Sequence, residues 1–310
     1  MKRRDFIFKG VGVSLAAGIG LTTNIFGETV NSFSSSAALN ASPFDLVAIK
    51  GGEAEAMFEM AIASLGGMKA FVKKNQSVII KPNIGWDKSP EFAANTNPKL
   101  VGKIVEHCLR AGAKTVYVFD NTCDNWQKCY SNSGIEKAVK DAGGKMVTGN
   151  SETMYQKVSV ARGKKLKDAK IHELILSSDV FINVPVLKSH SGATVSMAMK
   201  NLMGIVWDRG FWHKNDLHQC IADFPTYRKP DLNIIDAYRV MMKNGPRGIS
   251  ISDVNTMKAQ IISTDIVAAD AAAAKMFGID PASIGHIINA HELGLGQMDL
   301  DKLRINRLKA

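Results

Sequence analysis

Three lysines stand where apolar runs give way to polar residues. Lys81 follows Ser77-Val78-Ile79-Ile80 and leads into Pro82-Asn83. Lys188 and His190 follow the run that ends at Val184, and Lys200-Asn201 follow the apolar run from Thr194 to Met199. Asp120-Asn121 closes Thr115-Val116-Tyr117-Val118-Phe119 in the same way. Open α/β sheets bind ligands beyond the carboxyl ends of their strands. Ammonium and carboxamide groups gathered there would make a cationic, hydrogen-bonding pocket for a carboxylate or phosphate. The ligand-binding candidates are therefore Lys81, Asn83, Asp120, Lys188, Lys200 and Asn201, with Asn183 nearby. The alternative is that each lysine carries its charge out to solvent. His190 and His218 are candidates for moving protons, because imidazole titrates near neutrality. Asp236 is a candidate base.

A second constellation is Trp212-His213-Lys214-Asn215-Asp216-Leu217-His218-Gln219-Cys220. His213, His218 and Cys220 are the metal-ligand candidates, although their spacing matches no standard zinc pattern. The same histidines read equally as pocket donors or as structural residues. Asp265 precedes an alanine-rich helical run and reads as its cap. Asn244-Gly245-Pro246-Arg247-Gly248 reads as a tight loop, near a ligand or merely a turn. Cys123 and Cys129 are disulfide candidates in an oxidising compartment. There is no C-x2-C-x2-C run, hence no ferredoxin-type iron–sulfur motif, and no Walker loop, G-x-G-x-x-G after a strand, or H-E-x-x-H. A metal ion remains the cofactor candidate.

The elements that must position these residues alternate. Leu46 to Ile49, Ser77 to Ile80, Thr115 to Phe119, Asp179 to Val184 and a run ending at Ile262 read as strands. Glu53 to Leu65, Pro98 to Ala111, Gly134 to Ala142, Asp265 to Phe277 and Ala282 to His291 read as helices. Continuously apolar strands alternating with helices specify an α/β fold, a mainly parallel sheet covered by helices on both faces. The Trp-, His-, Met- and Gly-rich stretch around 190–250 breaks the alternation and reads as an irregular insertion. The basic run Lys157 to Lys170 reads as a solvated hairpin, since only Tyr155 offers an aromatic platform beside it.

The 310 residues carry a net charge of +10. The first nine, Met1-Lys2-Arg3-Arg4-Asp5-Phe6-Ile7-Phe8-Lys9, fit the twin-arginine export pattern. An apolar run from Val11 to Phe26 and a small-residue stretch follow, so residues 1–41 read as a cleavable signal peptide and linker, and 42–310 as a single domain. The signal accounts for +2 of the +10 and leaves +8 for the remainder. The reading implies the twin-arginine export machinery as a partner, an exported or periplasmic location, and no stable membrane span after cleavage. Export and scattered lysines both oppose nucleic-acid binding; a small anionic molecule is the expected partner.

Taken together, Lys81-Pro82-Asn83, Thr96-Asn97-Pro98, Ile182 to His190, Lys200-Asn201-Leu202-Met203-Gly204, Ile235-Asp236, Asn244 to Gly248, Ser263 to Asp270 and Ala290 to Gly296 resemble the domain-of-unknown-function-362 family, over about residues 45 to 305. Ile266 departs from it, since the family usually shows proline after the aspartate. Some members carry a four-cysteine ferredoxin-like tail; this chain lacks it, so an iron–sulfur assignment does not carry over. The resemblance implies a family whose chemistry is largely uncharacterised, and the N-terminal pattern adds the expectation of export. The leading expectation is an enzyme acting on a small anion, with cofactor- or metal-assisted redox chemistry as one form. The alternative is a non-catalytic cofactor- or metal-binding accessory protein of an exported redox system.

Overall fold

The computed structural model describes residues 43–310; the signal expected over 1–41 lies outside the described residues. The strands are β1 (Leu46–Lys50), β2 (Ser77–Pro82), β3 (Thr115–Val118), β4 (Lys145–Met146), β5 (Tyr155–Ser159), β6 (Asp168–His172), β7 (Val180–Val184), β8 (Val186–His190), β9 (Thr194–Ser196), β10 (Leu232–Met241), β11 (Val254–Ser263) and β12 (Ile305–Lys309). The main sheet runs β12-β1-β11-β10-β7-β2-β3-β4, with β8 and β9 attached through β10. Pairing is parallel from β10 through β7, β2 and β3 to β4, and again between β1 and β12. Strand β11 runs antiparallel between β1 and β10, and β9 folds back antiparallel on β8. Strands β5 and β6 form a separate hairpin. The mainly parallel α/β sheet expected from the sequence is thus observed.

Two-residue alternation in the strands divides the apolar residues between two cores. Leu46, Ala48, Ile79, Phe181 and Ile235 enter one, which contains the alanine-rich helix Ile266–Phe277. Val47, Ile49, Val78, Ile80, Ile182 and Ile234 enter the other, with the helices Ala54–Ser64 and Pro98–Ala111. Helices therefore cover both faces. Their ends follow local chemistry: Asn97 caps Pro98–Ala111 through Lys99 N at 3.0 Å, and Gly112 ends it in the left-handed conformation. Asp265 caps Ile266–Phe277, its Oδ1 accepting from the Val267 and Ala268 amides at 2.8 and 2.9 Å. No described helix is long and apolar enough to cross a membrane.

The irregular segment is shorter than its composition suggests. Short helices occupy Ala198–Asn201, Gly210–Lys214 and Leu217–Asp223, but residues 232–241 form β10, a buried central strand. Asn233 and Asp236 disguise β10 in the sequence. Both are buried and hydrogen-bonded, so neither interrupts the strand.

A row of polar residues crosses this apolar sheet in register: Lys81 opposite Asn183, Asn183 opposite Asn233, and Asn233 opposite Ser263. Above it sits the one-turn helix Ala198–Asn201, which carries Lys200 and Asn201. Asp270, fully buried on the alanine-rich helix, holds that turn by accepting from the Ala198 and Met199 amides at 2.5 and 3.0 Å. Burial pushes its carboxyl up to about 7 despite both donors. Asp270→Ala would leave two buried N–H groups unpaired, and should cost on the order of 3 kcal/mol. Asp270→Asn, which keeps one acceptor, should recover part of that loss; urea unfolding of the two variants checks both.

Candidate functional site

The ends of β2, β3 and β8 border a cavity of about 290 Å³. Its floor is a chain of side-chain amides. Asn233 Nδ2 donates to Ser263 O at 3.4 Å, Asn183 Nδ2 to Asn233 Oδ1 at 3.0 Å, and Asn201 Nδ2 to Asn183 Oδ1 at 2.8 Å. Asn201 Oδ1 then accepts from Lys81 Nζ at 2.8 Å and from Asn83 Nδ2 at 3.1 Å. Asn83 Oδ1 in turn accepts from Lys188 Nζ at 3.1 Å, and Lys188 also donates to the Ala94 carbonyl. Each amide uses both ends in one direction, so the network fixes the carboxamide orientations and, through them, two amines.

The charge in the cavity is unbalanced. Lys81 and Lys188 are each 1% exposed. Lys81 lies 2.9 Å from Asp120 Oδ1, while Lys188 and Lys200 enter no ion pair among the described residues. Asp120 is fixed in turn by the Ile84 amide at 2.7 Å and by the Tyr130 hydroxyl, which bridges its backbone. Burial pulls Lys81 below its ordinary value even against that carboxylate. Burial likewise lowers Lys188 to about 7 and Lys200 to about 8, with neighbouring cations adding to it in both cases. Gly204 permits the Lys81–Asp120 pair: a Cβ there would lie 1.9 Å from Asp120 Oδ1 and 2.6 Å from Lys81 Nζ.

His190 lines the same cavity, and its role is set by its hydrogen bonds. Nδ1 accepts from the Gly192 and Ala193 amides at 3.0 and 3.1 Å, so the ring proton of the neutral form sits on Nε2. Burial, then Lys200 and Lys188, push the imidazole down to about 3. At neutral pH it is an uncharged donor, not a proton acceptor. His213 also lines the cavity, its ring stacked at 6.4 Å on His190.

The structure thus gathers Lys81, Asn83, Asp120, Lys188, His190, Lys200, Asn201 and His213 around one space. It places the other candidates elsewhere. His218 pairs with His286, Nδ1 to Nδ1 at 2.9 Å, and does not line the cavity. Asp236 accepts from the Asn97 and Tyr238 amides at 2.8 and 3.0 Å, which anchors the start of the Pro98–Ala111 helix. Burial raises its carboxyl to about 6. The metal candidates diverge: His213 turns to His190, His218 to His286, and the buried Cys220 thiol donates to Asn215 O at 3.1 Å. Among the described residues no three His, Cys, Asp or Glu side chains converge as a metal-binding group. Cys123 and Cys129 carry free thiols; Cys129 is buried, whereas Cys123 is exposed and lines the cavity.

Arg209 escaped the sequence reading. It lines the cavity and donates to Asn121 O at 2.6 Å and to Thr122 O, tying the irregular segment to the β3 end. It stands in an aperiodic stretch, so only its position before Gly210 marked it. Pro246, from the Asn244 to Gly248 loop, also lines the cavity wall.

A pocket with four cationic side chains and one carboxylate suits an anion. Lys188 and Lys200 are charged below about pH 7 and lose their protons as pH rises through about 7 and about 8. Affinity for sulfate should therefore be highest below neutrality and fall across that interval. Calorimetry above it should register proton uptake on binding, and Lys200→Met should weaken binding about tenfold.

A thylakoid-associated protein of Synechocystis sp. is 27% identical to this chain over 260 residues, which is 79% of this chain and 76% of that protein. Two solved structures are similar in outline. One, from Thermotoga maritima, has a TM-score of 0.47 at 10% identity and covers 72% of this chain and 58% of that one. The other is the lactate racemase apoprotein from Thermoanaerobacterium thermosaccharolyticum, with a TM-score of 0.46 at 14% identity, covering 75% of this chain and 56% of that one. This chain spans less than two thirds of either solved protein. The model of the domain of unknown function DUF362 matches residues 78–275, most of the sheet and every side chain of the amide and lysine network, and the chain belongs to that family.

Proposed function

We propose that this protein is an exported enzyme that binds a small organic anion in the lysine-lined cavity and moves a proton on it. The observation that carries the reading is the coordination of Lys188. Its Nζ already faces two acceptors, Asn83 Oδ1 and Ala94 O. An uncharged amine satisfies both with its two N–H bonds and keeps a lone pair for the third direction. Burial, which lowers Lys188 to about 7, populates that uncharged form near neutrality.

The other groups fit a binding and stabilising role. Lys200, Arg209 and the Nε2–H of His190 are donors for a carboxylate. Lys81 lies against the Asp120 carboxylate at 2.9 Å and joins the amide relay at the base of the site. A carbon acid beside the bound carboxylate would give its proton to Lys188 and leave its electron pair on the substrate as an enolate. The cluster of cations is arranged to stabilise that charge. Return of the proton from Lys188 completes the cycle with no other reactant. The three metal-ligand candidates of the sequence, His213, His218 and Cys220, take no part in this step. The accessory reading, in which the cavity only captures an anionic cofactor, rests on the same donors.

Exchange of hydrogen for deuterium separates the two. A panel of small mono- and dicarboxylates incubated with the protein in heavy water, followed by proton NMR, should show loss of the signal next to the carboxylate for at least one member. The rate should rise as Lys188 deprotonates near pH 7. Lys188→Met should lower it by roughly 100-fold or more while anion binding persists through Lys200. Saturable, pH-dependent binding with no exchange and no turnover would instead favour the capture role.

The export part of the proposal rests on the Arg3-Arg4 pair and the run that follows it. Replacing both arginines by lysine should retain the protein in the cytoplasm, as cell fractionation would show.

A further inference from the structure

Cys123 is the one exposed cysteine among the described residues, and it lines the cavity beside Lys188, Lys200 and Arg209. The proton chemistry proposed above makes no use of it. Its main chain is pinned on both sides. The Cys123 amide donates to Gly85 O at 2.8 Å, the Asp124 amide to the same carbonyl at 3.2 Å, and Arg209 grips Asn121 O and Thr122 O. A cysteine side chain has a single torsion left to set, so a fixed backbone gives the sulfur a defined place on the wall.

Two further observations mark this place as a site. The Lys200 ammonium is enclosed by protein on almost all sides and lines the same space, yet it meets neither an acceptor nor a carboxylate among the described residues. The second is charge. A thiolate at Cys123 is the negative group that acts most strongly on both Lys188 and Lys200, ahead of Asp120 at Lys188. A nucleophilic atom and an unpaired cation thus address one accessible space.

We propose that Cys123 is a modification site that takes up a small carboxylate-bearing disulfide, and that the mixed disulfide closes the cavity. The carboxylate would accept from Lys200 and Arg209, which brings the disulfide to Cys123. The Cys123 thiolate, its proton already lost to solvent, attacks one sulfur of the bound molecule. A new S–S bond forms to Cys123, the old S–S bond breaks, and the other half leaves as a thiolate that takes up a proton from water. The disulfide is the only oxidant required. The retained mercaptocarboxylate then fills space that an anionic substrate needs. The inference rests on the anion-binding half of the function proposed above, and not on proton transfer.

The probe is dithiodiglycolate, with its uncharged diamide for comparison, and the readout is the mass of the intact protein and of its peptides. One carboxymethylthio group should appear on the peptide that carries Cys123, and a reducing agent should remove it. Cys108, Cys129 and Cys220 are buried and should stay unlabelled. Cys123→Ser should take no label. The dianion should react about tenfold faster than the diamide, a ratio that collapses in the urea-unfolded protein. Sulfate should slow the dianion's reaction, and Lys200→Met should remove its advantage. Should Lys200→Met fail to fold, protection by sulfate makes the same test on the native protein. Labelled protein should bind sulfate at least about tenfold more weakly and recover on reduction. Labelling is read by mass, so it can succeed where deuterium exchange fails, and the two readings fall separately. Equal rates for dianion and diamide, no protection by sulfate, a label on another cysteine, a disulfide between Cys123 and Cys129 in its place, or labelled protein that still binds sulfate would each overturn the proposal.

Discussion

Two lysines, Lys81 and Lys188, buried together with the Asp120 carboxylate are the constraint to which the rest of this structure answers. An isolated buried cation carries a large desolvation cost. Here it is offset in two ways. Lys81 receives the Asp120 carboxylate, and Lys81 and Lys188 both feed a relay of amides that ends at the Ser263 carbonyl. The relay works because asparagine is both donor and acceptor, so a string of them passes one hydrogen bond along without leaving an end unpaired. That string needs adjacent parallel strands in register, which is what β2, β7 and β10 provide.

The same constraint explains features that look unrelated in the sequence. Gly204 is bare so that Asp120 can reach Lys81. Asp270 lies in an alanine-rich helix so that a single turn bearing Lys200 and Asn201 can be held over the sheet. Among the described residues Lys200, alone of the three lysines, has neither an ion pair nor a place in the relay, and it lines the cavity. The site is a rigid base of satisfied groups beneath a cation left to meet a ligand. His190 fits this division, since its doubly accepting Nδ1 makes it a fixed donor.

The short helix Gly210–Lys214 extends the arrangement. Arg209 and His213 address the lysine-lined cavity and Phe211 and Trp212 a second cavity beside the β5–β6 hairpin, so one turn of chain is packed between two spaces of different polarity. Its neighbours hold it from several directions: Trp212 packs on Phe224, and Arg209 grips two carbonyls beyond β3. Irregular backbone is tolerated there because those side chains, rather than a ladder, fix its course.

Much of the fold is legible in the sequence. Continuous β-branched runs mark β2, β3 and β7, helical spacing marks Pro98–Ala111, and Asp265 and Gly112 mark helix ends, because local sterics and capping act within a few residues. The lysines and asparagines at strand ends are legible for the same reason: strand direction alone puts them at one edge. What the sequence leaves open is which polar groups meet. Asp236 and Lys188 are both buried polar side chains near β-strands, yet one anchors a helix and the other faces a cavity. His218 and His213 lie five residues apart and turn to different partners. Arg209 carries little local signal beyond its place before Gly210. Those outcomes depend on contacts between residues far apart in the chain, such as Lys81 with Asn201, and only tertiary packing sets them. The sequence by itself determined the strands, the helices and the edge of the sheet where charge collects. The tertiary structure decided which charges are neutralised and which stay free, because the energy of a buried charge depends on partners that local sequence does not contain.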